Sequence, residues 1–201
     1  MPKNAQPTML LSLLFAQVAQ AQDYYTIDPV HTRVAFHIMH AGFSPSIGTV
    51  SKPSGHIWFD EKNPSKSSVE IQIAVSSLDM GDPGWNKKIL DNTFLAADKF
   101  PIATFKSTAV SLESENHYKV EGLLSIAGQS ISVTFNTTLN ALKRHPLTLK
   151  QTLGLQASTQ FSRKALGIDA WQSVVDDTVY MEVAVEATRA QPDKQEDVDA
   201  Q

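Results

Sequence analysis

The chain has 201 residues, a formal net charge of −4 and no cysteine. The mild acidity argues against a nucleic-acid partner, because phosphate binding requires clustered lysine and arginine. A chain without thiols has no disulfide, no cysteine nucleophile, no thiolate metal site and no iron–sulfur cluster. Its stability must therefore come from packing and hydrogen bonding, and its length suits one domain with a real core.

Residues 1–21 have the three parts of a secretory signal peptide. Lys3 is the only charge before Asp23, an apolar run follows at 9–16, and Ala19 and Ala21 form an Ala-x-Ala cleavage site. The run is far shorter than the ~20 residues that span a bilayer as a helix. The alternative, a buried N-terminal helix, lacks a capping residue. We predict cleavage after Ala21 and a periplasmic protein.

The chain that follows is a series of strands. Apolar and polar residues alternate with period two, which indicates one buried and one solvated face. Seven or eight such strands at regular spacing are typical of a sandwich or barrel. We predict an all-β domain over residues 22–190, a closed antiparallel barrel, and a disordered acidic tail over 191–201. The alternating segments are 33–40, 56–60, 69–75, 118–126, 131–136, 153–161 and 179–186.

One segment breaks the strand pattern. A turn at 81–84 precedes Trp85, Ile89 and Leu90, which are spaced for one helical face. The spacing predicts a short helix near 84–92 that closes one end of the barrel. Asp79 and Asp82 precede this helix, and we assign them turn and capping roles rather than acid–base chemistry.

The apolar residues of the strands form one continuous inner face. A small barrel fills this space with its own side chains, whereas a wider one encloses a ligand. Large residues such as Phe36, Phe59, Phe105, Phe135 and Phe161 suit either arrangement. Periodicity alone therefore leaves a packed core and a cavity equally open.

An ordered set of motifs runs through residues 24–188 and resembles the YceI-like family of polyisoprenoid-binding proteins. The set comprises Tyr25-x-Ile27-Asp28-Pro29-x-His31-Thr32-x-Val34-x-Phe36-x-Ile38-x-His40, Gly55-His56-Ile57-Trp58-Phe59-Asp60, Ser77-Leu78-Asp79-Met80-Gly81, Trp85-Asn86, Phe100-Pro101-x-Ala103-Thr104-Phe105, Gly122-Leu123-Leu124-Ser125-Ile126-x-Gly128, Arg163-Lys164-x-Leu166-Gly167 and Val175-Asp176-Asp177-x-Val179.

The resemblance implies an extended, lipocalin-like antiparallel barrel with an isoprenoid lipid in an apolar tunnel. It implies a carrier or store for polyprenyl phosphate or an isoprenoid quinone, with no other cofactor, and a homodimer is plausible. The expected head-group contacts are His40, Arg163 and Lys164. The expected tunnel wall is Phe36, Ile38, His40, Phe43, Ile57, Phe59, Ile71, Ile73, Leu90, Phe94, Phe105, Val120, Leu124, Phe135, Leu155, Phe161 and Met181.

Several polar residues have alternative interpretations. Arg163 and Lys164 could bind a phosphate or pair with Asp176 and Asp177 at the surface. His31 is interpreted as a structural hydrogen-bonding residue, with ligand contact as the alternative. His40 is interpreted as a buried, hydrogen-bonded histidine, with contact to a lipid head group as the alternative.

The histidines do not predict a metal site. His37 and His40 lie on opposite faces of a strand, so they cannot share an ion locally. His31, His37 and His56 could meet across strands, although no spacing requires it.

The leading hypothesis is a non-enzymatic lipid-binding protein. A second hypothesis is an accessory protein that docks on a membrane cytochrome in quinone-linked redox chemistry. The third, a hydrolase or metal enzyme, is disfavoured because the chain has no Gly-x-Ser-x-Gly elbow and no thiol.

Overall fold

The structure of the protein, a computed structural model, describes residues 22–192. The predicted signal peptide at 1–21 lies outside the described residues, as does the part of the predicted tail at 193–201. No helix between residues 22 and 192 has the length and apolar character needed to cross a membrane.

The described chain forms one antiparallel sheet of ten strands with one α-helix, α1 (Pro83–Leu90). Short 3₁₀ turns occur at Pro64–Lys66, Val75–Ser77 and Lys164–Leu166. The strands are β1 (Asp23–Ile27), β2 (Arg33–His40), β3 (Ser44–Val50), β4 (Ser54–Phe59), β5 (Ser68–Ala74), β6 (Ile102–Ser114), β7 (His117–Ile126), β8 (Gln129–Arg144), β9 (Gln151–Ser162) and β10 (Val175–Arg189).

The sheet closes into a barrel because β10 pairs with strands on both sides. Its neighbours are β9 on one edge and, on the other, β2 followed by β1. Strands β1 and β2 lie end to end along β10, and β3 and β4 lie end to end beside them. Each pair acts as one bent strand, so the wall has eight strand positions. This arrangement confirms the predicted closed antiparallel barrel.

The wall is weakest along one edge of β3. Beyond its pairing with β2, β3 has one isolated bridge in the described sheet, where the backbone amides of Thr49 and Asp79 donate to each other's carbonyls at 2.8 Å. The Ser51 amide also donates to Ser77 Oγ at 3.3 Å. Strand β5 ends at Ala74, and the chain then leaves the wall towards α1. We call the junction between β3 and residues 75–81 the seam.

Helix α1 lies within the predicted range of 84–92 apart from its first residue. Asp82 Oδ1 accepts a hydrogen bond from the Trp85 amide at 2.9 Å, which caps the helix. Pro83 follows at the first helical position, where its missing N–H has no cost. Asp79 Oδ1 accepts from the Asn86 side chain and the Gly81 amide, and these bonds lower the pKa of Asp79. The predicted turn and capping roles are confirmed.

The barrel interior is filled unevenly along its axis. At the end where β1 begins, which we call the packed end, Tyr25 and Leu153 are 0% exposed. Phe59 meets Tyr118 edge to face there, with 5.8 Å between ring centroids. At the opposite end, the α1 end, a separate cluster is built around buried Phe94, Leu166 and Ile168.

Gly122 and Gly154 provide a matched test of this packing. A Cβ at Gly122 on β7 would lie 2.5 Å from the Lys106 carbonyl oxygen and 2.6 Å from the Phe105 ring. We expect Gly122→Ala to lower the free energy of unfolding by ~1–3 kcal/mol, because a packed backbone and ring must shift. Urea denaturation monitored by circular dichroism measures the loss.

The control is Gly154→Ala on β9. The nearest atom to its new Cβ would be 3.8 Å away, an ordinary contact. Alanine restricts the unfolded chain more than glycine, so this variant should be neutral or stabilised by up to ~1 kcal/mol. Equal losses in both variants would contradict the packing described for β7.

Candidate functional site

A cavity of about 260 Å³ lies inside the barrel towards the α1 end. Its wall is apolar except for Thr32, Thr137 and Arg163. Packed interiors contain few voids larger than a water molecule, and dry apolar cavities of ~150 Å³ are known to bind small hydrocarbons. The interior is therefore partly hollow and suited to an apolar group.

Most of the predicted tunnel wall lines this cavity. These residues come from β2, β4 to β9 and β10, together with Phe94 after α1. Their contact with a ligand stays a prediction. The predicted residues that line the cavity are Phe36, Ile38, Ile57, Ile71, Ile73, Phe94, Phe105, Val120, Leu124, Phe135, Leu155, Phe161 and Met181.

The structure places four predicted wall residues outside the cavity lining, which corrects their assignment. Phe59 faces inwards but belongs to the packed end. Leu90 is half-buried at the end of α1, whereas its neighbour Ile89 lines the cavity. Phe43 lies in the β2–β3 turn and is 90% exposed, and His40 is exposed where β2 ends. The period-two alternation identifies which face of a strand is buried. It does not give the position of a residue along the barrel axis or the point at which a strand leaves the wall.

Many other lining residues were not predicted, and two groups show why. Val179, Val183 and Val185 continue the alternation of Met181 on β10, and this pattern is a signal that could have identified them. Leu78 and Ile168 come from irregular segments, for which a period-two pattern gives no signal.

Arg163 is a structural side chain at the cavity wall. It is 3% exposed, and its guanidinium donates to three backbone carbonyls: Nε to Asp176 at 2.8 Å, Nη2 to Val175 at 2.8 Å and Nη1 to Ile168 at 2.6 Å. Burial lowers the pKa of Arg163. These bonds tie the β9–β10 connection together, because each carbonyl belongs to that connection or to the start of β10.

The side chains of Lys164 and Asp177 do not form an ion pair in the described chain. Lys164 is exposed, and its side chain forms no ion pair within residues 22–192. The Asp177 carboxylate accepts hydrogen bonds from the Lys164 amide and the Ser162 hydroxyl, which lower the pKa of Asp177. The predicted surface ion pair with Asp176 or Asp177 is therefore not formed in the described chain: Arg163 bonds the Asp176 carbonyl, and the Asp177 carboxylate bonds the Lys164 amide.

His31 lies in the β1–β2 connection, where it is exposed and does not line the cavity. Its Nδ1 is 2.8 Å from Asp28 Oδ2, and this hydrogen bond raises the pKa of His31 and lowers that of Asp28. The Glu186 carboxylate is close, so the three residues place ligand-type atoms within 4.8 Å of one another. This geometry fits the predicted hydrogen-bonding role of His31, and the pair is explained without an ion.

The other two histidines considered for a metal site have different neighbours. His37 stacks on Tyr180 with 4.9 Å between centroids, and His56 lies against Tyr24 at 5.5 Å. His31, His37 and His56 therefore do not form one cluster in the described barrel.

Arg163 and its neighbour Lys164 allow a matched test of the structural role. We expect Arg163→Met to lower the unfolding free energy by roughly 2–5 kcal/mol, because three buried or part-buried backbone carbonyls lose their donor. Lys164→Met should change it by less than ~0.5 kcal/mol. Chemical denaturation of both variants measures the difference. A stable Arg163→Met variant would show that the carbonyl network contributes little.

Comparison with known proteins agrees with the barrel. The model of the YceI-like domain matches residues 25–187. Protein YceI of Salmonella arizonae and that of Salmonella paratyphi B are each 34% identical over 172 residues, which cover 85% of this chain and 82% of theirs.

Three solved structures share the fold. Burkholderia cenocepacia BcnA superposes with a TM-score of 0.73 at 25% identity, covering 81% of this chain and 99% of its own. The Campylobacter jejuni YCEI protein gives 0.67 at 19% identity, with 74% and 88% coverage. A polyisoprenoid binding domain from Saccharophagus degradans gives 0.62 at 13% identity, with 84% and 99% coverage. On the matched domain, the Salmonella relatives and the shared barrel, this chain belongs to the YceI-like family.

Proposed function

We propose that the protein is a non-enzymatic binding protein that holds the hydrocarbon part of an isoprenoid lipid, a polyprenyl phosphate or an isoprenoid quinone, inside the barrel. The observation that carries this proposal is the cavity of about 260 Å³ with an almost wholly apolar wall. The solved relative described as a polyisoprenoid binding domain supports the same class of ligand.

The apolar wall supplies the affinity. Each buried CH₂ contributes ~0.8 kcal/mol, so ten enclosed carbons give a gross gain of roughly 8 kcal/mol. Ordering a flexible chain reduces that gain. Micromolar or tighter binding is therefore within reach of the hydrocarbon alone once somewhat more than ten carbons are enclosed.

Two of the three polar lining residues, Thr32 and Arg163, are already engaged within the protein. Thr32 Oγ1 donates to the Glu186 carbonyl and accepts from the Glu186 amide, both at 3.1 Å. Arg163 donates to three carbonyls. A lipid head group therefore gains little inside the cavity, and we place it at the α1 end, outside the apolar space. The same engagement favours binding over chemistry, because no lining residue forms a nucleophile–base pair in the described chain.

The cavity is slightly smaller than the ~300–1,000 Å³ of typical ligand pockets. A long isoprenoid chain therefore requires the wall to widen. The seam is the part of the wall with the fewest hydrogen bonds, since β3 meets residues 75–81 through the Thr49–Asp79 bridge. Opening there would cost less than separating any paired strands. Export to the periplasm, as the N-terminus predicts, would place this carrier beside membranes that contain such lipids.

Extraction of the purified protein with organic solvent, followed by lipid mass spectrometry, tests the ligand class directly. We expect a co-purifying or loadable isoprenoid lipid near one per chain. In Ala157→Phe, a ring enters the cavity from β9, so the lipid content should fall several-fold. In Ser158→Phe, the ring is added to the exposed face of the same strand, so the content should be unchanged. An empty wild-type protein that cannot be loaded would contradict the proposal.

A disulfide across the seam tests the widening. The variant Thr49→Cys with Asp79→Cys has only these two thiols, because the natural chain has none. A hydrogen-bonded antiparallel pair places the Cα atoms ~5.5 Å apart, within the range for a disulfide. We expect the oxidised form to take up lipid at least ten-fold more slowly than the same variant after reduction. Equal uptake rates would exclude the seam as the part that opens.

A further inference from the structure

Three large aromatic side chains are exposed at the α1 end of the barrel. Phe43, in the β2–β3 turn, is 90% exposed; Trp85, in the first turn of α1, is 47% exposed; and Trp171, in the β9–β10 connection, is 53% exposed. They come from three separate connections. We call these three side chains the aromatic rim.

Contacts between the three connections bring the rim together. The Ala41 amide of the β2–β3 turn donates to the Val174 carbonyl of the β9–β10 connection at 2.7 Å. The His40 and Trp85 rings are 6.1 Å apart, which joins the end of β2 to α1. Lys88 Nζ lies 5.3 Å from the centre of the Trp171 ring, which joins α1 to the β9–β10 connection. The rim therefore belongs to one surface.

The rim is continuous with the cavity. Trp171 packs edge to face on Phe94, with centroids 5.8 Å apart, and Phe94 lines the cavity. Ile89, one turn after Trp85 on α1, also lines it. At the other end of the barrel, Tyr25 and Leu153 fill the interior. An apolar ligand would therefore have its shortest path to solvent through the α1 end.

The charges around the rim are close to balanced. Residues 79–99 and 163–177 together contain seven acidic and five basic side chains. Several of the carboxylates are engaged locally: Asp82 caps α1, Asp91 pairs with Lys88 at 2.9 Å, and Asp177 accepts two hydrogen bonds. This surface lacks the cationic cluster that attracts anionic lipid. Mixed charge around exposed aromatic side chains instead matches a zwitterionic lipid surface, where tryptophan is favoured at the interface.

We propose that the aromatic rim docks the α1 end of the barrel on a zwitterionic phospholipid bilayer. Docking inserts Phe43, Trp85 and Trp171 among the head groups and turns the hollow end of the barrel towards the membrane. The idea that lipid is exchanged at this docked surface rests on the proposed lipid-binding function. The docking itself depends on the rim alone.

Flotation with phosphatidylcholine vesicles measures docking, and quenching of tryptophan fluorescence by brominated phosphatidylcholine locates it. Trp58 is the one tryptophan outside the rim, so the quenching is recorded in Trp58→Phe. We expect binding that persists in high salt and does not increase when anionic lipid is added, together with quenching of the two rim tryptophans. Phe43→Ser should weaken binding about ten-fold or more, because one phenyl ring no longer inserts.

The matched control is Leu147→Ser. Leu147 lies in the β8–β9 turn at the packed end and is 86% exposed, so the substitution removes a similarly exposed apolar side chain far from the rim. Its vesicle binding should equal that of the wild type. Both substituted residues are on the surface, so both variants should melt like the wild type. Trp85→Ser provides a second variant of the aromatic rim.

The following outcomes would contradict one of the two proposals. Absent vesicle binding, equal weakening by Leu147→Ser, or binding that requires anionic lipid and disappears in salt would each exclude the rim as a zwitterionic docking surface. A wild-type dimer that Phe43→Ser converts to a monomer, without vesicle binding, would assign the rim to a second copy of the chain. If the protein docks on vesicles but has no extractable or loadable lipid, the docking proposal is supported and the proposed lipid-binding function is rejected.

Discussion

The structure depends on hydrogen bonding along both edges of β10. One edge is satisfied by β9 alone, and the other is shared between β2 and β1, which lie end to end. This division turns an open sheet into a ring, so most strand edges find partners within the chain. It also divides each of the first two strand positions of the wall into two shorter strands. Because β3 follows the bend, its free edge meets residues 75–81 through a single bridge, and the wall has a seam.

The bend also separates the two halves of the interior. Large side chains such as Tyr25 and Phe59 fill the packed end, close to where β1 and β4 pair with each other. Beside β2, residues of intermediate exposure such as Phe36 and Ile38 surround the cavity instead. The α1 end is then covered by connections rather than by strands. The cavity, the weaker wall and the exposed aromatic rim therefore occur in the same half of the molecule.

Polar groups near the cavity mainly satisfy backbone atoms of irregular segments. The β9–β10 connection has few ladder hydrogen bonds, and the Arg163 guanidinium supplies the donors that its carbonyls require. Asp79 and Asp82 do the same for the amides at the start of α1. Such engagement leaves few free polar groups on the inner wall, and burying an apolar group against such a wall leaves few polar groups unpaired.

The sequence by itself determined the all-β class, the short helix and most of the inner face. These features are local: a period of two fixes which side of a strand is buried, and a helical spacing with a capping aspartate fixes α1. The tertiary structure alone decided where along the axis the interior is packed or hollow. Phe59 and Phe105 have the same pattern in sequence, yet one fills the packed end and the other lines the cavity. It also gave Arg163 its backbone partners within the β9–β10 connection and left Phe43 exposed in the β2–β3 turn, because a period-two pattern gives no signal for irregular connections.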